Sequence, residues 1–308
     1  MQATVYKSTG SWYNVKTQDG KFFHARIKGA MKLDGITSTN PIAVGDHVDI
    51  IPDTDSENSV VITDIKERDN YIARISPHNK NQHHIVGANL DQTLLFATLR
   101  NPKTSSGFID RFLISAEAFH VPAILVFNKI DLCRKKEIDL LEAYTETYTK
   151  IGYKVMLLSM ETGQGLNDLK YLLKDKTTLI SGHSGVGKST FINNVHPDLS
   201  LRTGEVSSWS GKGMHTTTFS EMIDLPFGGS VIDTPGIREF GVLDISRQEL
   251  SHYFPEMRSR IHDCKFNNCL HLDEPGCAVT TAVFKGEITE ERYISYCKIL
   301  ETISDKKY

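Results

Sequence analysis

The sequence predicts a multi-domain chain with an N-terminal OB-like β-barrel, a central α/β P-loop domain and a C-terminal, mostly helical metal-binding domain. Three observations carry this reading. Residues 177–195, TTLISGHSGVGKSTFINNV, give a short apolar strand, a Gly182-x4-Gly187-Lys188-Ser189 loop and the start of a helix. On the N-terminal side of that loop, buried-strand and amphipathic-helix patterns alternate, as a doubly wound sheet requires. Three of the five cysteines lie between Cys264 and Cys277, with His271 among them.

A chain of 308 residues is too long for one ordinary core and suits two or three domains. The expected divisions are a barrel over 1–67, a linker over 68–88, an α/β domain over 89–243 and a metal-binding domain over 244–308. Its longest apolar runs, such as Val121 to Phe127, are far too short to span a membrane, and the N-terminus lacks a charged-then-apolar leader. The expectation is a cytoplasmic protein with no membrane partner. An odd number of cysteines, clustered, favours a metal over a disulfide framework. A formal charge of −3 does not by itself advertise a nucleic-acid binder.

In the first 67 residues, β-rich runs at Ser11 to Val15 and Phe22 to Ile27 flank Gln18-Asp19-Gly20-Lys21, an Asp-Gly hairpin signal. Val44 to Ile50 alternates apolar and polar residues, and Val60 to Ile65 follows a polar loop. Trp12, Tyr13, Phe22 and Phe23 are candidates either for base stacking or for the barrel core. Arg68 to Gly87, with Pro77 and the pair His83-His84, reads as a connecting segment.

The central domain is expected to open with a strand at Leu90 to Leu99, a helix at Ile109 to Phe119 and a buried strand at Val121 to Phe127. That strand ends in Asn128-Lys129-Ile130-Asp131. Ligands of open α/β sheets bind at the carboxyl ends of strands, and an aspartate there accepts hydrogen bonds from N1–H and the exocyclic amine of guanine. Adenine offers neither donor, so the base read is guanine. Asn128 is expected to fix the loop and touch the base edge, and the Lys129 stem to cover the ring. A helix over Lys135 to Ile151, a strand over Val155 to Leu158 and a helix over Leu166 to Leu173 follow. Ser159 stands where ordinary GTPases place a Ser-Ala-Lys segment beside the guanine carbonyl; only the serine matches.

The loop residues Gly182, His183, Ser184, Gly185, Val186, Gly187, Lys188, Ser189 and Thr190 form the expected phosphate cradle. Its glycines leave backbone N–H groups free to turn inward, and the helix N-terminus adds its positive dipole end. Lys188 is expected on the β- and γ-phosphates and the Ser189 hydroxyl on magnesium. A polar loop from Leu199 to Thr218 contains Gly211-Lys212-Gly213-Met214-His215-Thr216-Thr217, and either Thr216 or Thr217 could close over the metal. The strand Ser230 to Ile232 delivers Asp233-Thr234-Pro235-Gly236, whose Asp233 holds magnesium and whose Gly236 N–H senses the γ-phosphate. Ordinary GTPases run from P-loop to D-x-x-G and then N-K-x-D. Here N-K-I-D comes first, so the domain reads as circularly permuted.

A capping box, Ser246-x-x-Glu249, starts an expected helix to Tyr253. Cys264-x4-Cys269-x-His271-x5-Cys277 offers a closed tetrahedral set that suits structural zinc, with His262 as the competing ligand. A helix from Glu290 to Ile303, with Thr289 as its N-cap, finishes the chain.

With these motifs in this order, the sequence resembles the ribosome small subunit-dependent GTPase A family over essentially its whole length. The resemblance implies a factor that binds GTP or GDP, Mg2+ and one Zn2+. It also implies action on the small ribosomal subunit and its rRNA in late maturation, alongside other late assembly factors, as a monomer, with slow intrinsic hydrolysis stimulated by the subunit. The alternative is an rRNA-binding checkpoint in which hydrolysis only drives release; a P-loop kinase fits less well, because it has no use for Asp131. Ordinary GTPases align water with a glutamine just after D-x-x-G, and here that position is Ile237. The resemblance points instead to His215, either as the water-positioning residue or as an anchor for its loop.

Overall fold

The Asp19-Gly20 turn forms as its residue types dictate: Gly20 has φ +84°, and its N–H donates to the Thr17 carbonyl at 2.9 Å. The turn joins β2 (Tyr13–Thr17) to β3 (Phe22–Ile27). With β1 (Gln2–Ser8), β4 (His47–Pro52) and β5 (Ser59–Ile65), these strands close a five-stranded barrel in the order β1-β2-β3-β5-β4-β1. Only β3 and β5 run parallel within it. The molecule is a computed structural model that describes residues 1–10, 12–28, 40–54, 59–75, 83–199, 220–233 and 245–303. Val5, Val15, Ala25, Val48, Ile50 and Ile62 fill the barrel. Tyr13 belongs to that core and Phe23 packs against it, whereas Trp12 and Phe22 are exposed. The expected OB-like barrel is present, with β1 as a strand the sequence reading omits.

Residues 68–88, expected to be a plain linker, instead carry two strands. β6 (Tyr71–Ile75) and β7 (His83–Ala88) pair antiparallel, with Ala73 and Ile85 buried against Ala43. A polar run with Pro77 separates them in sequence and hides the pairing. His84 faces Arg74 across the ladder; burial and then that positive charge push its pKa down to about 4, so the ring stays neutral.

The central domain follows in chain order as β8 (Gln92–Ala97), α1 (Ser106–Ala118), β9 (Ala123–Phe127), α2 (Lys135–Ile151), β10 (Lys154–Leu157), α3 (Leu166–Leu173), β11 (Thr177–Ser181), α4 (Lys188–Val195), β12 (Glu221–Asp224) and β13 (Ser230–Asp233). In space the strands run β10-β9-β8-β11-β13-β12, parallel except for β12. β8 shows why these strands are apolar on both sides: Leu94 and Phe96 join the core under α3 and α4, while Leu95 and Ala97 join the core under α1 and α2. The segment carrying N-K-I-D precedes the P-loop in the chain yet lies beside it in the sheet. That is the permuted connectivity.

One register pair, Lys7 with Glu221, joins barrel and central sheet edge to edge. Side chains reinforce the seam: Lys7 pairs with Glu221 at 3.0 Å, the Tyr6 hydroxyl donates to Asp224 at 2.7 Å, and Lys16 pairs with the same Asp224.

The C-terminal lobe holds α5 (Pro255–Arg258), α6 (Ala278–Phe284) and α7 (Glu290–Thr302). The Ser246-Glu249 capping box closes, with Ser246 N–H to the Glu249 carboxylate at 3.0 Å and Glu249 N–H to Ser246 Oγ at 3.3 Å. The expected helix behind it shrinks to a 3-10 turn at Leu250–Tyr253, because Pro255 stops its extension and restarts the chain as α5. Thr289 stands at the N-cap of α7, but its hydroxyl makes no capping bond there. Phe254, Met257, Val279, Tyr296 and Ile299 form the lobe's core and take in Ile114 from α1. Arg292 of α7, 3% exposed, sits between Asp110 of α1 and Glu256 of α5. Burial works against its charge, but the two carboxylates more than offset it and hold the guanidinium pKa above its ordinary value. No helix among the described residues is long and apolar enough to cross a membrane.

Candidate nucleotide site and a sulfur-rich centre

Four segments converge at the carboxyl ends of β9, β10, β11 and β13. The P-loop leaves β11, and Gly182, Gly185 and Gly187 all take positive φ, from +81° to +141°. Two of these glycines are forced by close approach. A Cβ on Gly182 would lie 2.4 Å from the Phe96 carbonyl oxygen, and one on Gly187 would lie 2.3 Å from Asn128 Nδ2. Gly187→Ala is therefore expected to lower nucleotide affinity by about a hundred-fold, the equivalent of ~3 kcal/mol, when titrated with a fluorescent GDP analogue. Unchanged affinity would mean that the loop closes without this approach.

Asn128 explains the crowding. It is 2% exposed, and its amide donates to the Val186 carbonyl at 2.8 Å, tying N-K-I-D to the P-loop across 58 positions of sequence. Its Oδ1 is buried and has no hydrogen-bond partner, an open acceptor beside the expected base. Lys129 takes the left-handed conformation at φ +58°, and its ammonium reaches the Asn101 carbonyl at 2.8 Å, stretching the stem along the site. Asp131 is exposed, and Ser159, fully buried, donates its hydroxyl to Asp131 Oδ1 at 2.5 Å. The expected serine is thus brought to the expected aspartate, with one carboxylate oxygen already oriented.

Lys188, 9% exposed, donates to the carbonyls of Gly182 at 2.6 Å and His183 at 2.9 Å. Burial, the larger effect, lowers its pKa, and Asp233 offsets only part of that, so the ammonium stands at the phosphate cradle within the field of the D-x-x-G aspartate. Asp233 ends β13 in register with Ile180 of β11. Ser189 is the second residue of α4 and is partly buried, whereas Ser184 and Thr190 are exposed. The positive-φ glycine loop, an ammonium and an open amide acceptor together fit a nucleoside triphosphate. Ser189 and Asp233 are the described residues that would hold a magnesium ion, which would neutralise phosphate charge. His215, Thr216, Thr217 and Gly236 lie outside the described residues, as does Ile237.

Two further residues, neither part of a sequence motif, support the loop. The His183 ring lies on the Phe108 ring of α1 with centroids 3.8 Å apart and planes 30° apart. The loop after β8 supplies Asn101, whose carbonyl holds Lys129. Neither follows from a motif, since both depend on how α1 and the β8 loop pack over the P-loop.

In the C-terminal lobe the ligand atoms of Cys264, Cys269, His271 and Cys277 lie within 4.8 Å of one another. His271 Nδ1 faces Cys277 Sγ at 3.4 Å and Cys264 Sγ at 3.6 Å. His262 is exposed and outside the group. The Tyr293 and Tyr296 hydroxyls donate to the carbonyls of His271 and Leu270, and the Glu274 carboxylate accepts the N–H groups of Leu270 and Leu272. Burial, foremost, pushes the Cys269 thiol up to about 12 and lowers the pKa of His271. A neutral imidazole and three converging sulfurs make a donor set that a divalent cation would turn into thiolates, and the residues fit one.

The RsgA GTPase family model matches residues 65–243, and the RsgA N-terminal domain model matches residues 2–60. The chain belongs to the RsgA GTPase family. It is a GTP hydrolase. Among its relatives, the small ribosomal subunit biogenesis GTPase RsgA 2 of Bacteroides thetaiotaomicron is 51% identical over 308 residues, covering 100% of this chain and 99% of that one. The small ribosomal subunit biogenesis GTPase RsgA of Christiangramia forsetii is 49% identical over 306 residues, with coverage of 99% and 97%. The crystal structure of YjeQ from Thermotoga maritima superposes with a TM-score of 0.80 at 32% identity, over 99% of each chain. YloQ, described as a circularly permuted GTPase, superposes with a TM-score of 0.74 at 32% identity, over 100% of this chain and 96% of that one. The RsgA assignment thus spans barrel, permuted domain and C-terminal lobe, as the sequence motifs anticipate.

Proposed function

We propose that this chain assists late maturation of the small ribosomal subunit in the cytoplasm as a monomer. It hydrolyses GTP slowly alone and faster when bound to the subunit and its rRNA, alongside other late assembly factors. The observation that carries the reading is the hydrogen bond from Asn128 to Val186, which joins base-reading and phosphate-binding segments in a chain about half identical over its length to relatives named for small-subunit biogenesis. In this reading Asn128, Asp131 and Ser159 select guanine, and the stem of Lys129 covers it. The P-loop from Gly182 to Thr190 binds the phosphates. Lys188, now on two carbonyls, turns to the phosphate charge, and Gly236 N–H meets the γ-phosphate. Ser189, Asp233 and Thr217, or Thr216 in its place, hold magnesium. Cys264, Cys269, His271 and Cys277 hold one zinc ion as a structural centre.

Ile237 cannot orient water, which supports poor intrinsic turnover, and His215 supplies the missing alignment when the chain is bound to the subunit. Steady-state GTP hydrolysis with and without purified small subunits tests this. Stimulation of about ten-fold or more, some 1.4 kcal/mol off the barrier, is expected, and His215→Ala should lose it. Equal rates with and without subunits overturn the functional reading; full stimulation in His215→Ala overturns the role of His215 alone.

A further inference from the structure

Helix α1 serves two masters. At its first turn Phe108 lies under the P-loop residue His183, with ring centroids 3.8 Å apart. Two residues on, Asp110 is gripped by Arg292 of the C-terminal lobe. Phe108 and its neighbours Ile109, Phe112 and Leu113 belong to the core of the GTPase domain, while Ile114 belongs to the core of the lobe. One rigid element therefore touches both the phosphate cradle and the lobe.

The grip itself is incompletely satisfied. Asp110 Oδ1 accepts from Arg292 and from the Tyr148 hydroxyl at 2.8 Å, and Arg292 Nε donates to Glu256 at 2.7 Å. Asp110 Oδ2, Glu256 Oε2 and Arg292 Nη2 are buried without hydrogen-bond partners, although the guanidinium also lies 4.6 Å from the Phe254 ring centre. A buried ionic network with open donors and acceptors can re-pair when its parts shift by a fraction of an ångström, unlike an apolar contact that only loosens.

We propose that α1 couples the nucleotide site to the C-terminal lobe, with Phe108 and Arg292 as positioning residues at its two ends. Filling the phosphate cradle fixes His183 on Phe108, holds α1 in one position and selects one pairing of Arg292 with Asp110 and Glu256. By linkage the effect is reciprocal: the lobe's seat on α1 sets how tightly the P-loop holds its nucleotide. The inference rests on the P-loop being the nucleotide site.

Hydrogen exchange on the full-length chain, free and saturated with GDP, tests the coupling. Binding is titrated in the same samples, so failure to bind is distinguished from failure to couple. GDP is expected to slow amide exchange in Glu290–Thr302 by about five-fold or more, the lower bound of ordinary site-to-site coupling. Phe108→Leu and Arg292→Lys, both mild enough to retain the fold, are expected to bind GDP yet lose most of that slowing. Should either variant fail to fold, Tyr148→Phe, which removes one hydroxyl from Asp110, takes its place with the same expectation. If GDP leaves exchange in α7 of the unaltered chain unchanged, or if the slowing survives in the variants, α1 does not transmit.

Discussion

Asp131→Asn is expected to weaken GTP binding by two to four orders of magnitude while leaving the fold intact. In the proposed base-reading role the carboxylate accepts from two guanine donors, and each charge-assisted hydrogen bond is worth about 1.5–3 kcal/mol. Asparagine retains one acceptor and turns an N–H2 toward the second donor, so both interactions are lost or weakened. Asp131 is exposed in the structure, and asparagine keeps a carbonyl oxygen to accept the Ser159 hydroxyl, so the fold should tolerate the change. The variant should instead favour xanthine nucleotides, whose C2 oxygen accepts from the new amide. Calorimetric titration with GTP, ATP and XTP measures this; indifference to the substitution would remove Asp131 from base recognition.

Metal removal is expected to have the other large effect, confined at first to the C-terminal lobe. If the proposed zinc occupies the Cys/His group, it would contribute on the order of 10 kcal/mol of folding free energy at neutral pH. Cys269 and Cys277 are themselves core residues packed with Phe254 and Tyr296. Chelation, or Cys277→Ser, should therefore release one equivalent of metal and melt residues 245–303 well below the transition of the GTPase domain. Elemental analysis and a two-transition thermal scan report the outcome. A single unchanged transition with no metal released would make these thiols ordinary packing residues.

The parts of this molecule that the sequence reveals are those whose chemistry is local. Helices Lys135–Ile151 and Leu166–Leu173 were legible to the residue, because their periodicity and flanking glycines act within a few turns. The P-loop, N-K-I-D and the Cys/His group were legible because each ligand needs fixed residue types at fixed spacing. What escaped was tertiary. β12 is a four-residue strand and β1 a seven-residue one with mixed polarity, and the status of both comes from the neighbours they pair with, while β6 and β7 look like a linker because their pairing spans a polar interruption. The Ser246 helix shortened because a local capping signal met Pro255. Phe108 and Arg292 carry no motif at all, since a phenylalanine in an amphipathic helix and an arginine in another look like routine core and surface positions. Only the packing of α1 between two cores gives them meaning.

The pairing of Lys7 with Glu221 has a consequence for how the chain could be dismantled. β12 would otherwise be the open margin of the parallel sheet, with unsatisfied backbone groups facing water. The barrel supplies the missing neighbour and lends Lys7, Lys16 and Tyr6 to the two acids on that margin. Amputating the first 66 residues would thus not free an autonomous enzyme; it would bare a sticky rim on the same sheet that carries the P-loop.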